Sequence, residues 1–161
     1  MKQRRKYTSV KNPVLMAIEN ASLISARRNA EYTSSEIQAL KNMATGQFGD
    51  HEWVVMVDVA NMAEVMAKSG VGHEVIPIAA EAQVVLAHIR KRKKEEGTFT
   101  CRPDEIFVLR ELQEYHDLQR QSVAYGQYLG FAKRVANYVR GGNGNTYQDI
   151  LEQVNEAEAS L

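Results

Sequence analysis

The stretch DHEWVVMVDVANMAEVMAKSG, at residues 50–70, decides the fold of this 161-residue chain. Asp50 predicts a helix N-cap, and Gly70 predicts a stop because glycine enters the left-handed conformation freely. Nearly every position between residues 53 and 66 is apolar, which is typical of a buried helix. The β-branched run at residues 54–57 also suits a strand, but the length and the caps favour a helix. The pattern therefore predicts a central apolar helix at about 51–69.

Two helices are predicted before this one. Asn12 and Pro13 suit the N-cap and the first helical position of a first helix, which we expect to end between residues 25 and 31. Thr33 and Glu36 have the spacing of a capping box, so they predict the start of a second helix. Helical spacing in the first helix gives an apolar stripe of Val14, Leu15, Ile18 and Ala21.

Two longer helices are predicted after it. The fourth begins near residues 73–76 and ends in the basic run at residues 90–94, where cations favour the helix dipole. No proline occurs between residues 104 and 140, so we expect one long fifth helix at about 103–140. A break near Gly126 and Gly130 is the alternative.

The sequence as a whole predicts an all-α protein, a helical bundle of five to six helices, because period-two alternation is absent. We expect a flexible basic arm at residues 1–11, a bundle domain at 12–142, and a flexible link with a weakly packed C-terminal helix at 143–161. Few large apolar side chains support that last helix: Ile150, Leu151 and Val154.

Composition gives information on charge distribution and on the cellular compartment. The chain has 20 basic and 20 acidic residues, and five of the bases with no acid lie in the arm. The remainder therefore has 15 bases against 20 acids, an acidic body with a cationic arm. A single cysteine excludes a disulfide framework, which suits a reducing compartment. Neither an export signal nor a run of about 18 apolar residues is found, so we predict a cytoplasmic protein with no membrane contact.

Several short motifs follow one another in order along residues 4–142: Arg5-Lys-Tyr7, Asn12-Pro13-Val14, Trp53, Ala60–Glu64 (ANMAE), Gly70–Glu74 (GVGHE), Ala82-Gln83, Leu109–Asp117 (LRELQEYHD) and Lys133–Gly141 (KRVANYVRG). In this order and spacing the chain resembles a family of uncharacterised small helical proteins of proteobacterial prophages and plasmids. The resemblance implies a helical fold and a mobile-element origin. It implies no activity and no site residues.

Adjacent His116 and Asp117 are reminiscent of metal phosphohydrolases, which need further histidines on neighbouring helices. The other histidines fall at or near predicted helix ends: His51, His73 and His88. One histidine and one acid cannot hold a catalytic ion, so a surface histidine beside an acid is the preferred interpretation. Neither a Glu-x-x-His pair nor a phosphate-binding glycine loop occurs. We therefore predict no metal, no cofactor and no catalytic residue, hence not an enzyme.

Cys101 lies beside Arg102 and just before a predicted helix start, two features that lower a thiol pKa. These features are compatible with a nucleophile. No histidine is adjacent in sequence, and an incidental cysteine in a linker is the favoured interpretation.

Three polar residues interrupt the apolar helix at three-residue steps: Asp58, Asn61 and Glu64. They share a slowly turning face. Buried carboxylates need partners, so this face forms either a polar network or interface, or simply the solvent side of the helix. The solvent side is the preferred interpretation.

Two basic clusters are candidates for nucleic-acid contact. The first lies in the arm and includes an aromatic ring able to stack on a base: Lys2, Arg4, Arg5, Lys6 and Tyr7. The second is the end of the fourth helix: Arg90, Lys91, Arg92, Lys93 and Lys94. Acids follow the second cluster immediately, at residues 95 and 96.

The leading hypothesis is a non-catalytic phage or plasmid accessory protein that acts by protein–protein interaction, with itself as a homodimer or with a host protein. A surplus of apolar helix face supports it. The alternative is a nucleic-acid-binding accessory or regulatory protein that uses the basic arm. An inhibitor of a host defence system ranks lower, and no small-molecule substrate is evident.

Overall fold

The structure is a computed structural model that describes residues 12–141. Within that range the chain forms six helices and no strand: α1 (Pro13–Ala21), α2 (Ala26–Ala44), α3 (Asp50–Lys68), α4 (Val75–Glu96), α5 (Pro103–Gln121) and α6 (Tyr125–Arg140). The predicted all-α helical bundle is confirmed.

Helix α3 is the centre of the bundle, as its apolar sequence predicts, and packs against α2, α4, α5 and α6. Met56, Ala60 and Ala63 on this helix have no exposed surface. Small alanines at the contacts allow close helix approach, and the indole N–H of Trp53 donates to the Leu86 carbonyl at 3.0 Å. The N-cap is Gly49 rather than Asp50. The Gly49 N–H donates to the Glu52 carboxylate at 2.9 Å, which satisfies one of the first amides of the helix.

The predicted boundary between the first two helices is wrong. Asn12 does cap α1, because its side-chain oxygen accepts a hydrogen bond from the Val14 N–H. However, α1 ends at Ala21, and α2 begins at Ala26 behind the N-cap Ser25, whose hydroxyl oxygen accepts from the Arg28 N–H at 3.3 Å. Thr33 and Glu36 are therefore not a capping box, since they lie in the middle of α2.

The predicted long fifth helix at about 103–140 is also wrong, because it is two helices. Helix α5 ends at Gln121 and α6 begins at Tyr125, ahead of the expected break near Gly126 and Gly130. Tertiary contacts interrupt the helix there. Val123 is buried, and the Tyr125 N–H donates to the Ser22 carbonyl at 2.8 Å.

The predicted arm at residues 1–11 and the predicted link and helix at 143–161 lie outside the described residues. Among the helices of residues 12–141, none is long and apolar enough to cross a bilayer.

Candidate functional site

Helix α1 exposes an apolar surface. None of its nine residues is buried, although it carries Val14, Leu15 and Ile18 at 65%, 64% and 59% exposure. The sequence predicts an apolar stripe at these positions, and the structure leaves its large side chains exposed. Its only substantial packing partner among the described helices is α6.

Helices α1 and α6 meet where each adjoins an extended link. Leu23 and Ala124 form an isolated antiparallel bridge at this point. Gly126 faces α1 so closely that a β-carbon there would lie 2.9 Å from both the Cβ and the carbonyl oxygen of Asn20. The glycine is therefore a requirement of the α1–α6 contact.

Helix α6 begins against the core and ends exposed. Phe131, Ala132 and Val135 pack on the cluster around Tyr128, whereas Val139, one turn beyond Val135, is 58% exposed. Eight large exposed apolar residues thus lie on α1, the link after it and α6, and we refer to them as the α1–α6 surface: Val14, Leu15, Met16, Ile18, Leu23, Leu129, Tyr138 and Val139.

The charge around this surface is basic. Helix α6 carries Lys133, Arg134 and Arg140 and no acidic residue. The one acid of α1, Glu19, accepts a 2.8 Å hydrogen bond from Arg28, whose guanidinium also lies 4.0 Å from the centre of the Tyr125 ring. The carboxylate of Glu19 raises the pKa of Arg28.

A depression beside the Glu19–Arg28 pair separates α1 from the start of α2. It is lined by eight residues: Glu19, Ser22, Leu23, Ser25, Arg27, Arg28, Glu31 and Tyr125. Both guanidinium groups that line the depression are already paired, Arg28 with Glu19 and Arg27 with Glu31, so an anion there would meet only partly neutralised cations.

A buried polar cluster connects α2 to α5. Arg120 has no exposed surface, and its guanidinium donates to both Glu36 oxygens, at 2.5 and 3.1 Å. It also donates to Asn29 and Asp117, at 2.7 and 3.1 Å. Thr33 donates to the same Asp117 oxygen at 2.6 Å.

Electrostatics in this cluster favour the ionised pairs. Burial acts to lower the pKa of Arg120, but the hydrogen bonds and charge of Glu36 outweigh it and raise that pKa. Burial acts to raise the pKa of Asp117, but the hydrogen bonds from Thr33, Asn29 and Arg120 outweigh it and lower that pKa. Every buried side-chain nitrogen and oxygen of residues 12–141 has a hydrogen-bond partner. The cluster therefore joins α2 to α5 through fully paired polar groups.

His116 belongs to the same cluster, and its predicted surface position is wrong. The imidazole is 1% exposed, with Nδ1 at 3.3 Å from Gln119 Oε1. Burial lowers the pKa of His116 to about 4, so the ring is neutral at pH 7. His51 and His73 are exposed and His88 is half-buried, and no group of three or more potential metal ligands forms within residues 12–141.

The basic end of α4 is largely engaged within the protein. Arg92 donates to the two Glu105 oxygens at 2.8 and 2.6 Å, and this pair is mostly buried. Arg90 pairs with Asp50 at 2.5 Å and its guanidinium lies 5.1 Å from the centre of a Trp53 ring. Two of the five candidate nucleic-acid contacts are therefore engaged within the bundle: Arg90 pairs α4 with α3, and Arg92 pairs α4 with α5.

The three lysines of this run differ in exposure. The Lys93 ammonium donates to the Gly97 carbonyl at 2.5 Å and lies 5.3 Å from the Phe99 ring centre. Lys91 is half-buried, and Lys94 is exposed. The arm residues Lys2, Arg4, Arg5, Lys6 and Tyr7 lie outside the described part of the chain.

The thiol of Cys101 is not activated. Burial, with the charge of Glu105 as the next cause, raises the pKa of Cys101 to about 12, whereas its neighbours in sequence suggested a lowered value. The thiol is therefore protonated at neutral pH and is a poor nucleophile.

The three polar residues of α3 do not form one network. Asp58 is exposed and Asn61 is half-buried. Glu64 accepts hydrogen bonds from Lys68 at 2.6 Å and from the Gln83 amide of α4 at 2.8 Å. Glu64 thus links α3 to α4, and Asp58 faces solvent.

The sequence interpretation missed the polar members of the α5 core face. Gln113, His116 and Arg120 are buried there. Their spacing of three and four residues matches that of Leu109 and Leu112, and this was the available signal.

Comparisons with models of protein families, with curated proteins and with solved structures find no match for this chain.

Proposed function

We propose that this chain is a non-catalytic accessory protein of a mobile element, and that it binds a partner protein through the α1–α6 surface. One observation carries the proposal: α1 is an apolar helix without a single buried residue. A helix of nine residues is too short to be stable on its own in water, so it needs a packing surface for its apolar face.

The size of the surface suits a stable complex. Its eight side chains are 41–65% exposed. On the order of 100 Å² each, they approach the ~800 Å² per partner that a standard protein interface buries. Large apolar side chains that are exposed together on one short helix, with none of its residues buried, favour an interaction site.

The positive charge of α6 favours an acidic partner. Lys133, Arg134 and Arg140 lie on α6 with no acid among them. An amphipathic helix with acidic residues beside its apolar stripe would complement both features. In a symmetric homodimer formed through this surface, net positive charge would meet net positive charge, so a different protein is the better partner.

The nucleic-acid alternative is supported by the same three cations of α6. Nucleic acid is the weaker candidate for this surface, because phosphate groups make no favourable contact with the apolar side chains of Val14, Leu15 and Ile18. Arg90 and Arg92, moreover, are already engaged with acids of the chain.

A synthetic peptide tests the proposal: an amphipathic helix with a leucine stripe flanked by glutamates, labelled for fluorescence polarisation. The full chain should bind it, and a Leu15→Asp, Ile18→Asp variant should bind at least ~10-fold more weakly. The matched control is Phe107→Asp, Leu118→Asp, on α5 side chains that are 68% and 62% exposed. Loss of affinity in both variants, or in neither, contradicts the proposal.

Two parallel measurements separate the alternatives. Sedimentation velocity of the same three proteins detects a homodimer that depends on α1. Titration with a DNA or RNA oligonucleotide at several salt concentrations detects phosphate contacts, whose affinity falls steeply with salt. The mobile-element origin predicts that the gene lies among prophage or plasmid genes.

A further inference from the structure

We propose that the C-terminal segment of this chain, residues 145–161, binds the α1–α6 surface of the same molecule and competes there with the partner. The inference uses the surface defined above, and its competition step rests on the proposed function. Because the sequence of this segment is known, its charge and apolar residues can be compared directly with those of α1 and α6.

The charges of the segment and the surface are complementary. Residues 145–161 contain no basic residue and four acids: Asp149, Glu152, Glu156 and Glu158. Helix α6 contains three basic residues and no acid. The attraction acts over a short distance, since α6 and the segment are consecutive in the chain, and salt weakens it.

The apolar residues also match. Ile150, Leu151 and Val154 have the spacing of an apolar helix face, with acids at positions 149, 152 and 156 beside them. A helix with this pattern would be amphipathic and acidic, and these are the two properties that complement the α1–α6 surface. Tyr138 and Val139, at 56% and 58% exposure, are the apolar side chains of the surface closest in sequence to the segment.

The length of the connection permits the contact. Arg140 ends α6, and only Gly141, Gly142, Asn143 and Gly144 separate it from the segment. Helix α6 is about 24 Å long, and residues 147–157 would span about 16 Å as a helix. A link this short gives an effective concentration in the millimolar range, so even a weak contact is populated.

The consequence is autoinhibition. A partner helix must displace residues 145–161 before it reaches α1 and α6, so its apparent affinity is reduced by the fraction of molecules in which the surface is free. A partner with a stronger apolar stripe than Ile150, Leu151 and Val154 overcomes the competition.

The experiment uses the full chain in three forms: the natural sequence, Ile150→Asp with Leu151→Asp, and Gln148→Asp with Gln153→Asp. Both variants add two negative charges to the segment, but only the first removes apolar side chains. Hydrogen exchange of the α1 and α6 amides is measured. We expect exchange at least ~10-fold faster in the first variant and unchanged or slower exchange in the second.

The same three proteins are titrated with the acidic amphipathic peptide, and the first variant should bind it at least ~5-fold more tightly than the natural chain. Equal exchange in all three proteins overturns the inference. If the peptide binds all three equally, the partner site stands and the autoinhibition is wrong. If exchange changes but no protein binds the peptide, the intramolecular contact stands and the proposed function is wrong. Protection of α1 that rises with protein concentration shows contact between two molecules, and it also overturns the inference.

Discussion

The Arg120 guanidinium lies 2.5 Å from the Glu36 carboxylate, although the two residues are 84 positions apart in sequence. This pair joins α5 to α2 in the interior of the bundle. Two desolvated charges stabilise a fold only while both are present, because either one alone is a buried, unpaired charge. The pair therefore fixes how α2 and α5 pack together.

Substitution of Glu36 by Leu should cost about 3–5 kcal/mol of unfolding free energy, since it leaves the buried guanidinium of Arg120 without its main partner. The matched change in α2 is Glu31→Leu, which removes an exposed pair with Arg27 and should cost less than about 1 kcal/mol. Urea denaturation measures both values. A double Glu36→Leu, Arg120→Leu variant should recover part of the loss. A cost of Glu36→Leu similar to that of Glu31→Leu would show that the pair does not hold the bundle.

The buried imidazole predicts a loss of stability in mild acid. The pKa of His116 is lowered to about 4 in the folded protein, so the unfolded chain binds a proton at higher pH than the folded chain does. Stability should fall as the pH decreases from about 6.5 to about 4, by up to about 3 kcal/mol. The ring faces Glu36 from α2, Arg120 and Asp117 from α5, and Tyr128 from α6.

Asp117 does not explain a loss in that range. Its pKa is lowered in the folded state, so its contribution is fully present above the ordinary aspartate pKa and disappears only at lower pH. His116→Gln should therefore flatten the stability profile between pH 6.5 and about 4. His51→Gln, at an exposed position, should preserve the slope. Thermal melts of the three proteins across this pH range decide the matter, and an unchanged slope in His116→Gln would exclude His116 as the cause.

The sequence predicts helix α3 well because its evidence is local: apolar residues on every side and Gly70 at its end. It misassigns Thr33 and Glu36 for a physical reason. A separation of three residues suits a capping box, but it equally places two side chains on one face of a continuous helix. The N-cap Ser25 begins α2 upstream of both residues, and Arg120 on the facing helix contacts both of them, a contact that lies far away in sequence.

The break between α5 and α6 also depends on contacts between residues far apart in sequence. Neither proline nor glycine occurs at residues 122–124. Ser122 still has helical backbone angles and Ala124 is extended, and the helix is interrupted here because the Tyr125 N–H donates to the Ser22 carbonyl and Val123 is buried. The α1–α6 surface also escaped prediction. Val14, Leu15 and Ile18 have the helical spacing of an apolar stripe, and periodicity alone does not distinguish a buried stripe from one that the described helices leave exposed.

Two glycines of α6 allow a matched test of the α1 contact. Gly126→Ala should loosen α1, because the added β-carbon would meet the Cβ and the carbonyl oxygen of Asn20 at 2.9 Å, and backbone cannot move aside cheaply. At Gly130 an added β-carbon has nothing within 4 Å. Gly130→Ala should instead stabilise α6 by about 0.5–1 kcal/mol through helix propensity.

Hydrogen exchange of residues 13–21 and thermal melts report the two effects. Gly126→Ala should accelerate exchange in α1 several-fold, while Gly130→Ala should raise the melting temperature and leave α1 exchange unchanged. Similar behaviour of the two variants would mean that Gly126 is not a contact point for α1.

The basic end of α4 offers a direct separation of structural from nucleic-acid roles. Arg92→Met should reduce stability by several kcal/mol, because it leaves the mostly buried carboxylate of Glu105 without its bidentate partner. Lys94→Met, at the exposed neighbour, should change stability by less than about 0.5 kcal/mol. Denaturation measures stability, and titration with an oligonucleotide at low salt measures phosphate contact. If the run at residues 90–94 served nucleic acid, Lys94→Met would weaken oligonucleotide binding at unchanged stability. We expect no such effect, since Arg90 and Arg92 are committed to Asp50 and Glu105.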